Sequence, residues 1–309
     1  MKVKILQGDC IEKLKTLPDE SVNCCITSPP YWGLRDYGTG SLQIGLEHTP
    51  EIYVQKIVDV FREVKRVLRS DGTLWLNLGD SYASYRDGKA TPDTARNGNN
   101  GTLVDSGLAK NRMASTFAGT GVKHKDLVGI PWRVAFALQA DGWYLRQDII
   151  WHKPNPMPES VRDRCTKSHE YIFLMTKKSN YYFDSEAIKE DANYAGRKRG
   201  LSKNVSPSGI TDFGGKAVYD KRNKRSVWTI NTRSYPEAHF ATYPAELIEP
   251  CVLAGCPVGG TILDPFGGSG TTAQVAVEHG RNAILCELNP EYIKLINKRI
   301  AETQPLLQM

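Results

Sequence analysis

The chain has 309 residues, of which 40% are hydrophobic and 24% are charged. This length and composition are typical of a soluble globular protein in which one large α/β domain carries insertions. The longest apolar runs are far too short to span a bilayer, and no signal-peptide core follows the N-terminus. The seven cysteines form no CxxC pair and no zinc-ligand pattern. We therefore expect a cytoplasmic enzyme with reduced, mostly buried thiols and no metal, rather than a membrane or disulfide-stapled protein.

Short apolar segments alternate with amphipathic ones along the chain, which predicts a mostly parallel sheet with helices on both faces. Strands are expected at residues 3–7, 22–27, 73–78, 144–151, 171–176, 261–264 and 283–287. Helices are expected at residues 11–16, 50–69, 127–140, 245–254, 271–279 and 290–301. We assign residues 1–183 and 234–309 to one catalytic and cofactor-binding domain, with an insertion at about 81–125 that we expect to be mobile.

A rigid polar turn follows the second predicted strand and consists of Ser28, Pro29, Pro30 and Tyr31. Doubly wound folds place their sites at such strand ends, and the prolines leave the carbonyls of the turn free. The Ser28 hydroxyl and the Pro29 carbonyl could each accept an N–H of an exocyclic amino group and hold its nitrogen in line for attack. Tyr31 would offer a flat face to an extruded base. Taken alone, the turn could also be an ordinary structural loop.

Basic charge is concentrated in two segments without hydrophobic periodicity. Residues 186–233 contain 11 basic and 5 acidic residues, and residues 84–125 contain 7 and 3. Such a local surplus indicates contact with a polyanion, although a solvated loop has the same composition. We assign residues 184–233 to recognition of the polyanion, with four candidate contacts: Lys221, Arg222, Lys224 and Arg225.

A glycine-rich turn near the C-terminus is the strongest indication of the fold. An apolar strand ends at Asp264, the turn Phe266-Gly267-Gly268-Ser269-Gly270 follows, and a helix begins at once. Glycines permit a tight turn and a close approach of the backbone to a ligand. Glu287, at the end of the next strand, is placed to accept two ribose hydroxyls. The candidate cofactor-binding residues here are Asp264, Phe266, Gly268, Gly270, Thr271 and Glu287.

Two details favour S-adenosylmethionine over a dinucleotide. The turn lacks the GxGxxG pattern, and the carboxylate of Asp264 would repel a pyrophosphate but attract the cationic methionine end. We expect Asp264 and Glu287 to lie at exposed strand ends. Thr242 and Tyr243 begin the preceding helix and could close the pocket, or could simply cap the helix. A turn that binds nothing is the remaining alternative.

Seven segments of the chain, read in order, resemble the motifs of the amino-methylating DNA methyltransferases. They are ILQGDC, TSPPYWGLRDYG, RSDGTLWLNLGDSY, RQDIIWHKPNPMP, SHEYIFLMTKK, DPFGGSGTT and CELNPEYI. Their order is similar to that of the beta class, in which the catalytic motif precedes the cofactor motif. The resemblance covers most of the chain and leaves out the two basic segments.

The resemblance implies a Rossmann-like, seven-stranded S-adenosylmethionine-dependent methyltransferase fold with permuted motif order, and double-stranded DNA as substrate. It implies that Asp9 contacts the adenine of the cofactor and that the variable segment before the cofactor motif reads the DNA. In the resembled family, Ser at the first catalytic position is usual in cytosine-N4 enzymes, whereas Asp or Asn is usual in adenine-N6 enzymes. Ser28 therefore favours cytosine N4, and adenine N6 is the alternative. The resemblance also allows for a cognate restriction endonuclease.

Three other functions are compatible with parts of the sequence. Cytosine-C5 methylation needs a Pro-Cys nucleophile, and Pro250-Cys251 exists, but it lies in an apolar helix where a core role is expected. Protein or RNA amino-methyltransferases usually carry the cofactor motif first. A catalytically inactive DNA-binding scaffold would not need both constellations intact.

Overall fold

The computed structural model describes residues 1–34, 40–83, 121–192, 220–233 and 243–303. Its strands are β1 (Val3–Gln7), β2 (Val22–Thr27), β3 (Leu68–Leu78), β4 (Tyr144–His152), β5 (His169–Thr176), β6 (Glu190–Asp191), β7 (Lys221–Arg222), β8 (Val227–Thr229), β9 (Thr261–Asp264) and β10 (Asn282–Glu287). Its α-helices are α1 (Cys10–Lys15), α2 (Pro50–Val67), α3 (Ile130–Ala140), α4 (Ala245–Gly255), α5 (Thr271–Glu278) and α6 (Pro290–Glu302), and a 3-10 turn occupies Gly40–Leu42. In these ranges no helix is long and apolar enough to cross a membrane.

The central sheet contains all seven predicted strands and one more. Its order is β1-β10-β9-β2-β3-β5-β4-β8. The first five strands in this order, from β1 through β10, β9 and β2 to β3, are parallel to one another. β5 is antiparallel to both β3 and β4, and β8 is parallel to β4. Only β5 therefore runs against the others, and the prediction of a mostly parallel sheet is confirmed.

Each face of the sheet is covered by three helices. The apolar faces of α1, α2 and α3 pack on one side, around buried side chains such as Phe61 and Leu138. The other side is covered by α4, α5 and α6, with Trp75 and Leu247 among the buried residues. A strand between two apolar layers is mostly hydrophobic, which explains the apolar segments Cys24–Ile26 of β2 and Ile262–Leu263 of β9.

Two predictions about local structure were wrong. The helix expected at residues 50–69 ends at Val67, and the strand expected at 73–78 begins at Leu68, where the pairing of β3 with β2 shifts register between Val22 and Cys24. Residues 184–233 were expected to be irregular, yet they contribute β6, β7 and β8. These strands have two or three residues each, too few for a recognisable period. Most of the insertion predicted at 81–125 lies outside the described residues.

One edge of the sheet collects the polar residues of interest. Parallel strands end at the same edge, so the residues that follow β1, β2 and β9 meet there. Because β5 runs in the opposite direction, its first residues, and not its last, reach that edge. The predicted catalytic and cofactor turns are therefore neighbours, since β2 pairs directly with β9.

Candidate active site

Asp264, at the end of β9, connects the catalytic strand to the cofactor turn. Its Oδ1 accepts hydrogen bonds from the Thr27 hydroxyl at 2.6 Å and from the Phe266 backbone N–H at 3.0 Å. Its Oδ2 accepts from the Thr272 hydroxyl at 2.5 Å and from the Tyr243 phenol at 3.0 Å. The side chain is only 1% exposed, and this burial raises the pKa of the carboxyl while the hydrogen bonds oppose the rise. The expectation that Asp264 lies at an exposed strand end was wrong, because four protein donors enclose it.

Glu287 lies at the end of β10, beside the glycine-rich turn. Its Oε2 accepts the Gly268 N–H and its Oε1 accepts the Asn289 N–H, both at 2.8 Å. These bonds fix the carboxylate while each oxygen keeps a second lone pair for a ligand hydroxyl. The residue is half-buried, and burial is the main cause that raises its pKa. The role of ribose acceptor stays a prediction for this carboxylate.

Asp9 lies next to this site because β1 pairs with β10. The Gly8 N–H donates to the Glu287 carbonyl at 2.9 Å, which places the following residue at the same edge. The Asp9 Oδ1 caps α1 by accepting the Glu12 N–H at 3.0 Å. Asp9 is therefore held beside Glu287, where the resemblance expects the adenine.

The glycine-rich turn offers polar groups that the protein itself does not use. Ser269 is 3% exposed, and within the described ranges its Oγ has no hydrogen-bond partner. An orphaned buried hydroxyl is costly unless a ligand completes it. A Cβ added at Gly268, which has φ +50°, would meet only the Phe266 carbonyl at 3.8 Å, so the turn is open on that side.

The remaining residues of the turn anchor it to the core and to α6. Phe266 packs on the apolar core. Gly270 has φ +85° and lies against Ile296 of α6, and the Thr271 hydroxyl accepts from buried Arg299 at 2.5 Å. Together, the open turn, the orphaned Ser269 and the Glu287 carboxylate fit S-adenosylmethionine, which would supply an electrophilic methyl group.

Tyr243 precedes α4 and is also part of the site. Its hydroxyl contacts both Asp264 and Thr272, and burial raises the pKa of the phenol well above its usual value. It closes one side of the turn by hydrogen bonding to Asp264. Thr242, its predicted companion, lies outside the described residues.

The catalytic turn continues from β2, one strand away from Asp264. Ser28 is half-buried and Pro29 is buried. The Tyr53 hydroxyl of α2 donates to the Pro30 carbonyl at 2.9 Å, which occupies that oxygen and fixes the turn. The ring of Tyr31 lies so close to Gly79 that a Cβ there would come within 2.5 Å of Tyr31 Cε2. The predicted residues Ser28 to Tyr31 therefore form one anchored unit beside the cofactor turn.

Three residues that sequence reasoning missed surround the Tyr31 phenol. Glu170 Oε2 lies 2.7 Å from the phenol oxygen, and Asn77 Oδ1 lies 3.1 Å from it. Lys153 forms an ion pair with Glu170, and both side chains are 16% exposed. Lys153 and Glu170 fall within motif segments of the sequence, WHKPNP and SHEY, which was the only available signal. Their meeting depends on the antiparallel pairing of β4 with β5.

The four basic candidate residues lie in β7 and in the short segment between β7 and β8. Arg222 and Arg225 both bind Glu190, at 2.9 and 2.7 Å. Lys224 Nζ lies 5.2 Å from the centre of the Trp228 ring, whereas Lys221 is exposed. Two of the four charges are therefore partly neutralised within the protein.

Cys251, the alternative nucleophile, has the surroundings of a core residue. It lies in the interior of α4, is 1% exposed, and its thiol faces the Leu247 carbonyl at 3.8 Å. Burial raises the pKa of the thiol far above its usual range, so the nucleophilic thiolate is disfavoured. The described structure thus gives no support to cytosine-C5 chemistry at Pro250-Cys251.

The sheet with its two adjoining turns defines an α/β methyltransferase of the permuted type. A family model described as DNA methylase matches residues 22–298. The chain is 49% identical over 297 residues to the Type II methyltransferase M.SmaI of Serratia marcescens, which covers 96% of this chain and 90% of that protein. It is 45% identical over 296 residues to the Type II methyltransferase M.Cfr9I of Citrobacter freundii, covering 96% and 87%.

A solved structure shares the same fold. The PvuII DNA methyltransferase, described as cytosine-N4-specific, matches with a TM-score of 0.64 and 19% identity, over 97% of this chain and 86% of that one. The chain belongs to the DNA methylase family of N6- and N4-methylating enzymes, and it is a DNA methyltransferase. S-adenosylmethionine is the cofactor of that family, in agreement with the residues around the glycine-rich turn.

Proposed function

We propose that this enzyme methylates the exocyclic N4 of a cytosine flipped out of double-stranded DNA. The observation that carries the proposal is the Ser28 hydroxyl, which follows β2 directly beside the cofactor turn. Thr27, the residue before it, donates a hydrogen bond to Asp264 at 2.6 Å, which ties the start of the Ser28 turn to the strand end that leads into the glycine-rich turn. The PvuII enzyme, whose fold is shared, is described as cytosine-N4-specific, and this supports the same choice of base.

The turn acts by holding the amino nitrogen rather than by covalent attack. An exocyclic amino group is a weak nucleophile because its lone pair is delocalised into the ring. Acceptance of its two N–H groups by the Ser28 Oγ and the Pro29 carbonyl favours a pyramidal nitrogen whose lone pair faces the methyl group. The Pro30 carbonyl is already occupied by Tyr53, which leaves the Pro29 carbonyl as the acceptor of the pair. The Tyr31 ring provides a face on which the flipped base stacks.

Adenine N6 is the second candidate target. Adenine presents the same amino group next to a ring nitrogen, so the same two acceptors could hold it. The family contains both activities. The assignment to cytosine rests on Ser, and not Asp or Asn, at position 28.

The deciding experiment is product analysis. DNA incubated with the enzyme and methyl-labelled cofactor is digested to nucleosides, which are separated by chromatography, with Cys251→Ser as a parallel variant. We expect label in N4-methylcytosine and full activity of Cys251→Ser. Label in N6-methyladenine would overturn the choice of base but not the acceptor geometry. Label in 5-methylcytosine, with Cys251→Ser inactive, would overturn the whole mechanism.

We also propose that residues 184–233 read the DNA, and that residues 1–183 and 234–309 form the catalytic unit. Type II methyltransferases are among the relatives, and a cognate restriction endonuclease that recognises the same DNA sequence would fit this assignment. Of the four basic candidates, Lys221 and Lys224 are the better phosphate contacts, because Arg222 and Arg225 are engaged by Glu190.

Neutralising Lys221 and Lys224 together should weaken DNA binding and its dependence on salt. Each phosphate contact contributes about 0.9 to the slope of log K against log salt, so the double Gln variant should lower the slope by about 2. Binding is measured by fluorescence anisotropy at several salt concentrations. The matched control is Lys15→Gln with Lys294→Gln, two exposed helix lysines, which should leave the slope unchanged. An unchanged slope in the Lys221 and Lys224 double variant would show that these lysines do not contact DNA.

A further inference from the structure

The phenol of Tyr31 is the centre of a hydrogen-bond network that the proposed chemistry has not yet used. A phenol carries one hydrogen, and the shortest contact of its oxygen is to Glu170 Oε2 at 2.7 Å. A charged acceptor at this distance is preferred over a neutral amide oxygen. Asn77 Oδ1, at 3.1 Å, is such a neutral acceptor. The hydrogen of Tyr31 therefore goes to Glu170.

Both oxygens of Glu170 are held in place. Lys153 pairs with Oε1, and the Asn77 amide donates to Oε2 at 3.3 Å and to the Tyr171 carbonyl at 3.0 Å. Lys153 in turn lies over the Trp151 ring, with its Nζ 4.2 Å from the ring centre. Glu170 accepts from Lys153 in this ion pair, and an acceptor-only carboxylate fixes the direction of every hydrogen bond that ends on it.

This direction extends back to the catalytic turn. Since Tyr31 donates to Glu170, its oxygen is left to accept, and the Ser28 hydroxyl, 3.4 Å away, is the donor facing it. A serine that donates its one hydrogen to Tyr31 keeps its lone pairs free for the N–H of a target amino group. Without the carboxylate, the Tyr31 hydrogen could turn toward Ser28 and occupy one of those lone pairs.

We propose that Glu170, fixed by Lys153, is a positioning residue that keeps Ser28 in the accepting orientation through Tyr31. It does not touch the base and acts only through the Tyr31 phenol. This inference rests on the proposed acceptance of the amino group by Ser28. Burial and the charge of Glu170 raise the pKa of Tyr31 well above its usual value, which keeps the phenol a donor at neutral pH.

The test is a double-mutant cycle on methyl transfer in single turnovers. Glu170→Gln presents an amide group that can donate to Tyr31, so it should reverse the direction of the hydrogen bonds and slow transfer about 10- to 100-fold, less than the loss of a direct contact to the reacting group. Tyr31→Phe keeps the ring for stacking and should slow transfer to a similar extent. The affinities for cofactor and DNA should change less than the rate.

The two variants combined should be no slower than either alone, because residues that act as one unit are not additive. The matched control is Glu63→Gln, which should keep the wild-type rate. Glu63 lies in the C-terminal part of α2 and is paired with Arg66. Thermal unfolding checks that each variant is folded. If Glu170→Gln proves unstable, Tyr31→Phe still tests the inference, because it leaves the ion pair of Glu170 with Lys153 unchanged. A wild-type rate in Tyr31→Phe, or additive losses in the double variant, would overturn the inference even where the product is N4-methylcytosine. Label in 5-methylcytosine from the wild-type enzyme would instead show that the proposed function fails.

Discussion

Asp264→Ala should abolish cofactor binding and also destabilise the fold. The carboxylate receives hydrogen bonds from Thr27, Phe266, Thr272 and Tyr243, and its removal leaves buried donors without a partner. Each orphaned donor costs roughly 1–3 kcal/mol. The Thr272 and Tyr243 hydroxyls contact each other and can re-pair, so two orphaned donors remain and we expect a loss of about 2–6 kcal/mol in the free energy of unfolding. Urea denaturation measures the stability, and calorimetry measures cofactor affinity.

Glu287→Gln is the informative comparison, because it should separate binding from stability. Its carboxylate is half-buried and faces the turn, so the loss of charge-assisted bonds worth about 1.5–3 kcal/mol falls on the cofactor. This corresponds to about 10- to 150-fold weaker binding. The Gln amide can accept only one of the two backbone N–H groups, so the free energy of unfolding should fall by about 1 kcal/mol, less than in Asp264→Ala. Asp71→Ala, at an exposed carboxylate paired with Arg69, controls for the loss of a surface acid. If both variants bound the cofactor normally, the assignment of the glycine-rich turn would be wrong. An Asp264→Ala protein as stable as wild type would instead contradict the buried hydrogen-bond network around that carboxylate.

The strands of this fold were predictable because the hydrophobic effect acts on local sequence. β1, β2 and β9 were placed at their observed bounds, since each has an apolar centre bounded by polar residues. β8 was missed for the opposite reason. Of its three residues, only Trp228 is buried, and its pairing with β4 is decided by tertiary contacts. A three-residue strand in a basic segment carries no periodic signal.

Site residues could be predicted where they lie within one sequence motif. They could not be predicted where strand pairing brings residues from distant segments together. Ser28 and Glu287 follow strands whose parallel pairing can be anticipated, so their positions could be inferred. The burial of Asp264 could not, because its donors come from positions as distant as Thr27 and Tyr243. Glu170 reaches the site only because β5 runs against its neighbours. The sequence of the segment SHEY does not indicate that β5 runs antiparallel to its neighbours.

Ser28→Ala should cost about 10²- to 10³-fold in turnover, as is typical for one preorganised contact to the reacting group. The change deletes one acceptor for the amino group and leaves the Pro-Pro turn intact, because Tyr53 still holds the Pro30 carbonyl. Cofactor affinity should stay nearly unchanged, since the glycine-rich turn is untouched. Single-turnover transfer of labelled methyl groups to DNA gives the rate, and calorimetry gives the affinity.

Comparison of Tyr31→Ala with Ser28→Ala should separate base stacking from hydrogen-bond acceptance by the turn. It removes the ring, worth about 1–3 kcal/mol of stacking for a flipped base, so both DNA binding and rate should fall. It also breaks the contact with Glu170, which adds to the loss of rate. Ser21→Ala, which deletes an exposed hydroxyl bonded to the Pro18 carbonyl, is the control and should keep full turnover. A Ser28→Ala enzyme within threefold of the Ser21→Ala rate would exclude Ser28 as an acceptor, because the contact expected of it is worth about 2.7–4 kcal/mol.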